Sequence, residues 1–302
     1  MTFNLPKLLV ITTALVLARH SALAALDVAF VLDTTASFAT DFTLFQTSIA
    51  NIMSTIASTV DSDVHFGIVT FEDYGILPFG VATDIPYERV IDLTPNMAAV
   101  TTAAAGITPL GLGNDARESY LTAVFQLLNG AGQLQFGQAA TDFIAAGQQL
   151  NFRSNAQKVV VVWTDAGFND PTRQPGYPGP MLSTVTAALT NTTVTPPFRF
   201  VGLSRSTIAM PIDDLKILAA ATQSNATQDF TCFPGTTIAE GENLVCGGVG
   251  GSASTITTAF VNMVAEAYLI DQGVFVPLTC AGVAFLLCPV LFGVGGLLSC
   301  FT

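Results

Sequence analysis

The chain has 302 residues, enough for one large domain or two small ones, and half of them are hydrophobic while 11% are charged. A composition this apolar can bury a large core and argues against a long, solvated, disordered tail. Ten basic residues against 22 acidic ones give a net charge of −12, which repels phosphate backbones and argues against nucleic acid as a partner.

Residues 1–24 read as a signal peptide. Lys7 supplies the positive start, Leu8 to Ala18 the apolar run, and Ala22-Leu23-Ala24 the small residues of a cleavage site. The run is short for a membrane span. Cleavage would remove Lys7 and Arg19 and no acid, leaving eight basic against 22 acidic residues, net −14. A surface that acidic attracts cations.

Ala25 to Leu32 is a short apolar run ending at Asp33, the pattern of a strand buried on both faces. Phe42, Phe45, Ile49, Ile52, Met53 and Ile56 then recur at helical spacing within 39–60. Val64 to Phe71 predicts a second strand, Tyr87 to Leu93 a third, and Pro95 to Gly106 a helix. Asn114 to Asn129 predicts another helix, and Phe143 to Leu150 a further one. Lys158 to Thr164 is the clearest central strand, and Phe198 to Leu203 the next. Pro211 to Ala221 predicts a helix with proline in its first turn, and Ser254 to Ile270 the last helix. Strands alternating with helices predict an α/β fold, a mostly parallel sheet covered on both faces. Ligands of such sheets bind beyond the carboxyl ends of the strands. Asp33, Asp73 and Asp165 fall at those ends.

Asp33-Thr34-Thr35-Ala36-Ser37 follows the first strand and can present Asp33, Thr35 and Ser37 toward one point. One carboxylate and two hydroxyls suit a hard cation that keeps some of its waters. The same Thr35 and Ser37 could instead cap the helix that follows. Phe71-Glu72-Asp73, Asn114-Asp115-Ala116-Arg117-Glu118 and Thr164-Asp165-Ala166-Gly167-Phe168 bring further acids to the same edge.

These segments resemble the von Willebrand A domain, and within it the I-like domain of integrin β subunits. DTTAS is similar to the first metal-site loop, TDAGF to the loop after the fourth strand, GNDARES to a loop peculiar to β subunits, and FEDYG stands where that branch has its F-V-D. The resemblance covers about residues 26–270. It implies a Rossmann-like fold with the metal site at the carboxyl ends of the strands. It also implies that Asp33, Thr35, Ser37, Glu118 and Asp165 hold Mg²⁺ or Mn²⁺. Asp41 matches one acid of an adjacent Ca²⁺ site, where Thr40 replaces the other acid. Asp73 and Asp115 match acids of a third site, where Gly113 and Arg117 replace its usual asparagine and proline. A permanent guanidinium charge beside a cation is unfavourable. The implied function is a secreted or surface-anchored adhesion module whose protein ligand completes the cation's shell with an Asp or Glu. The alternative is a structural A domain of a surface or matrix assembly, where metal only stabilises the loops.

Enzymatic chemistry is not expected. After the leader the chain has a single histidine, His65, on a predicted strand; the cysteines lack zinc-ligand spacing, and no phosphate-cradling Gly-Lys loop accompanies the acids. Cys232 and Cys246 bracket a Pro/Gly-rich loop that can close as a disulfide in an oxidising compartment or remain two buried thiols. The pairing of Cys280, Cys288 and Cys300 stays open. Asn191 and Asn225 begin glycosylation triplets. Residues 25–271 therefore read as the A domain and 272–302 as an apolar tail. Val274 to Thr302 carries no charged residue and is long enough to cross a bilayer, although no basic cluster follows it. It reads as a membrane attachment or as an extension packed on the domain.

Overall fold

The computed structural model describes residues 25–109, 116–134 and 143–272. The leader, the tail with its three cysteines, and Asp115 lie outside the described residues. In chain order the elements are β1 (Leu26–Asp33), a 3-10 turn (Ala36–Phe38), α1 (Ala39–Thr59), β2 (Val64–Phe71), β3 (Glu88–Thr94), α2 (Met97–Ala105), β4 (Arg117–Glu118) and α3 (Tyr120–Asn129). They continue with β5 (Gln157–Thr164), β6 (Gly167–Phe168), α4 (Leu182–Leu189), β7 (Phe198–Ser204), α5 (Ala209–Ala221), β8 (Phe230–Phe233), β9 (Thr236–Ile238), β10 (Val245–Gly247) and α6 (Ala253–Gln272).

Six strands form one sheet in the order β10-β7-β5-β1-β2-β3. Every neighbouring pair is parallel except β2 with β3. The central strands alternate their side chains between two apolar layers, as the two-residue period of a strand requires. Leu26, Val28, Phe30 and Leu32 of β1 join Val159, Val161 and Trp163 of β5 beneath α1, α2 and α6. Ala29 and Val31, with Val160 and Val162, face α3, α4 and α5. Trp163 is the hub of the first layer, edge-on to Phe38 at 4.5 Å and to Phe260 at 5.5 Å between ring centroids. Its indole Nε1 donates to the Val249 carbonyl at 3.1 Å, so the one polar atom of a fully buried ring is satisfied. This is the Rossmann-like α/β architecture of the A-domain type, helices on both faces of a mostly parallel sheet.

α6 is long and apolar enough to cross a membrane by length and composition. Here its Ile256, Phe260, Met263 and Val264 are buried in the first layer.

The structure corrects several boundaries. The helix expected from Asn114 begins only at Tyr120 among the described residues, because Arg117 and Glu118 pair in parallel with Gly167 and Phe168. The helix expected over Phe143–Leu150 does not form. Ile144 exchanges both backbone bonds with Gln133, and Gly147 at φ +80° donates back to the Gly130 carbonyl. Two apolar residues there, Ile144 and Leu150, fill the second layer from a loop. α4, the edge strand β10 and the β8–β9 hairpin were not anticipated.

Cys232 and Cys246 form a disulfide, S–S 2.08 Å, between the hairpin and β10. It fastens a three-residue edge strand that has little backbone pairing of its own.

Candidate metal centre at the strand ends

Parallel strands place their carboxyl ends on one rim. Asp33 ends β1 opposite Phe71 of β2, and Thr164 ends β5 opposite Ser204 of β7. The rim therefore gathers the loops that follow β1, β2, β5 and β7.

Asp33 is fully buried. Its Oδ1 accepts from the Thr35 backbone N–H at 2.9 Å and from Thr35 Oγ1 at 2.6 Å. Its Oδ2 accepts from Thr164 Oγ1 at 2.7 Å. Thr35 Oγ1 lies 3.3 Å from Ser37 Oγ, which donates to Asp165 Oδ1 at 3.2 Å. The result is a continuous chain of oxygens, Thr164–Asp33–Thr35–Ser37–Asp165. Burial, with the Asp165 carboxylate added, pushes the Asp33 carboxyl up to about 7, against the hydrogen bonds that favour its ionised form. Thr35 precedes the 3-10 turn but makes no side-chain cap there; its hydroxyl goes to Asp33 instead.

Among the described residues no group of three or more His, Cys, Asp or Glu side chains is placed to hold a metal ion. The donors in this chain are the two carboxylates of Asp33 and Asp165 and the three hydroxyls of Thr164, Thr35 and Ser37. That set fits one hard cation retaining waters, which Asp33, Thr35, Ser37 and Asp165 would hold, with Glu118 the further ligand expected from sequence. A cation there would also add positive charge between the neighbouring carboxylates of Asp33 and Asp165.

Glu118 ends β4 and Asp73 follows β2. Glu118 is buried on β4, and its carbonyl accepts from the Asn169 backbone N–H at 3.0 Å. Asp73 Oδ2 accepts from Asn169 Nδ2 at 2.7 Å, and its Oδ1 from the Tyr74 backbone N–H at 2.7 Å. Burial holds the Tyr177 hydroxyl well above the usual tyrosine range, and the Asp73 and Glu118 charges raise it further. Tyr74, Tyr177 and Phe79 pack edge-on at centroid distances of 5.1 and 5.0 Å. Asp73 is thus built into a buried asparagine–tyrosine network, and its expected partner Asp115 lies outside the described residues.

Arg117 accepts from Asn169 Nδ2 at 3.3 Å through its backbone carbonyl. Its Nη1 donates to the Phe168 carbonyl at 2.9 Å and pairs with Asp214 Oδ2 at 3.0 Å. Arg173 joins the same carboxylate at 2.7 Å, with its guanidinium carbon 4.0 Å above the Phe168 ring. The repulsion expected between Arg117 and a cation is met by this local counter-charge.

Asp41, in the first turn of α1, is engaged by Arg205 Nε at 2.5 Å. Arg205 was not singled out from sequence, and neither were Thr164, Asn169 and Asp214. The one available signal for Arg205 was its position directly after a strand that ends on the rim. His65 sits as the second residue of β2, at the other end of that strand, where burial and the Arg153 charge lower its pKa.

The sequence matches no protein-family model and no curated protein. Among solved structures the chain is similar to proximal thread matrix protein 1 from the mussel byssus, with a TM-score of 0.46 and 16% identity over 82% of this chain and 46% of that one. A second crystal form of the same protein gives a TM-score of 0.46 and 12% identity over 81% and 49% of the two chains. The chain spans about half the length of the structures it resembles. No residue role passes across a likeness of this strength.

Proposed function

We propose that the chain is an extracellular A-type module serving as a structural unit of a surface or matrix assembly, with one Mg²⁺ or Mn²⁺ tying together the loops after β1 and β5. The observation that carries this reading is the Thr164–Asp33–Thr35–Ser37–Asp165 chain of oxygens. It joins those two loops through side chains alone, so a cation added to it tightens contacts that already exist. The Cys232–Cys246 bridge fits the oxidising surroundings of such an assembly. Melting the protein in Mg²⁺ and in chelator tests the reading. The melting temperature should be higher with Mg²⁺ by roughly 3 °C or more, and Asp33→Ala should abolish the difference. Identical melting of the wild-type protein under both conditions would count against it.

A second reading is a cation-dependent adhesion module of the integrin β-subunit kind, with a protein ligand's Asp or Glu completing the cation's shell. Exposure favours it: Ser37 is exposed and the Asp165 side chain keeps 17% of its surface, so the cluster opens to solvent on that side. Water-proton relaxation with Mn²⁺ separates the two. Enhancement quenched by a short Asp-bearing peptide supports the adhesion reading, and enhancement indifferent to the peptide supports the structural one.

A further inference from the structure

We infer that Arg205 is a built-in cation of the rim, taking the place beside Asp41 that a second metal ion would otherwise need. The inference rests on the reading of the rim as a one-cation cluster.

One guanidinium touches three segments. Arg205 Nε stands 2.5 Å from Asp41 Oδ2 on α1, and its Nη1 donates to the Ser37 carbonyl at 2.7 Å and lies 3.6 Å from Asp165 Oδ2. The Arg205 backbone N–H also donates to the Thr164 carbonyl at 3.1 Å, which fixes the start of the loop after β7 against β5. Asp41 passes the connection on, since its Oδ1 accepts from the Gly251 backbone N–H at 2.9 Å, just before α6. The loops entering α1 and α6 and the loops leaving β5 and β7 are thereby held around one positive charge.

The backbone around the pair is shaped for it. A Cβ on Gly250 would stand 2.7 Å from Asp41 Oδ1 and 3.4 Å from Arg205 Cγ, and Gly251 adopts φ +75°. Only glycine at 250 lets the chain approach this closely, and Gly251 supplies the backbone turn that aims its N–H at the carboxylate. The Asp41 side chain keeps 3% of its surface, so its charge cannot be left to water.

Charge and geometry agree. Asp41 and Asp165 both face the guanidinium, so Arg205 already supplies positive charge where a second divalent ion would sit. The oxygens facing the guanidinium are a side-chain carboxylate of Asp41, the Ser37 carbonyl and a carboxylate of Asp165. All are hard donors of the kind calcium takes. The planar guanidinium, which never deprotonates, instead holds the Ser37 carbonyl by a hydrogen bond and the two carboxylates by charge. The clasp is therefore independent of calcium supply.

The test counts cations bound by the full protein, by calorimetry with Ca²⁺ at saturating Mg²⁺, alongside thermal melting. The wild-type protein should show no Ca²⁺ site sensitive to Asp41→Asn. Arg205→Gln should lower the melting temperature by roughly 5 °C, and millimolar Ca²⁺ should restore it while one new Ca²⁺ binds. The double variant Asp41→Asn/Arg205→Gln should regain stability without Ca²⁺ and bind none at this position. If Arg205→Gln is too unstable to purify, recovery of the fold in the double variant supports the proposal, and failure of both overturns it. A wild-type Ca²⁺ site lost on Asp41→Asn, or an Arg205→Gln protein that neither weakens nor gains Ca²⁺, also overturns it. If the Mg²⁺ site itself is missing in wild type, the one-cation reading fails, while the Ca²⁺ response of Arg205→Gln still decides the role of Arg205.

Discussion

Thr164 Oγ1 donates to Asp33 Oδ2 across 2.7 Å, from the last residue of one central strand to the last residue of its neighbour. Residues 131 positions apart in sequence are thus hydrogen-bonded at the point where the sheet meets the rim. The bond makes Asp33 a shared element of the core and of the candidate metal centre, and several consequences can be measured.

Asp33 should make the cation-free protein less stable as pH rises. Burial and Asp165 lift its folded-state pKa from 3.8 to about 7. Between those values the folded state holds the proton more tightly than the unfolded chain, so stability falls with rising pH across that window and is constant on either side. Asp33→Asn removes the dependence. Denaturant melts in chelator should show the variant gaining on wild type between pH 4 and pH 7, by up to about 4 kcal/mol. Mg²⁺ should weaken the dependence, since it favours ionised Asp33.

The disulfide should hold the edge of the sheet. Cys232 and Cys246 are 14 residues apart, and closing a loop of that size is worth about 3 kcal/mol in the chain-entropy account. Cys232→Ser/Cys246→Ser should lower unfolding free energy by about 2–4 kcal/mol. Backbone exchange should rise first at Val245–Gly247, whose three residues pair only with β7 in the sheet.

Asp214 should matter more than its place on a surface helix implies. Two guanidiniums, Arg117 and Arg173, converge on a carboxylate whose side chain is 7% exposed. Asp214→Ala leaves two partly buried positive charges facing each other and should cost about 3 kcal/mol. Restoration by Asp214→Glu, measured in the same denaturant series, would show that the charge and not the packing is responsible.

In a host that glycosylates, Asn191 should be modified before Asn225. Asn191 is exposed in a turn, its Oδ1 accepting from the backbone N–H and hydroxyl of Thr193 in its own triplet. Asn225 is half-buried, its Oδ1 accepts from Asn243 Nδ2 at 2.7 Å, and the Thr227 hydroxyl of its triplet is bound to Glu266. Mass mapping of glycopeptides reads the order directly.

The central strands were legible in the sequence because burial on both faces leaves an unbroken apolar run, as in Lys158–Thr164. α1 was legible because one face of a 21-residue helix repeats its phenylalanines and isoleucines at helical spacing. Phe143–Leu150 misled for the opposite reason: apolar residues in a loop can reach a core without any period. β10 has three residues, too few for a pattern, and depends on a bridge for its place. On the rim, Asp33, Thr35, Ser37 and Asp165 could be picked out because three lie within five residues and the fourth follows the clearest strand. Arg205 and Asp214 belong to no local motif. They become visible only when β7 is set beside β5 and α5 is set beside β6.

Calorimetric titration of Mg²⁺ and Mn²⁺ into the purified protein, with Asp33→Ala beside it, tests the central claim most directly. One saturable site in the wild-type protein, absent from a folded Asp33→Ala variant, is the predicted result. No binding by the folded wild-type protein would contradict it and leave the Asp33–Asp165 chain as a hydrogen-bonded brace alone.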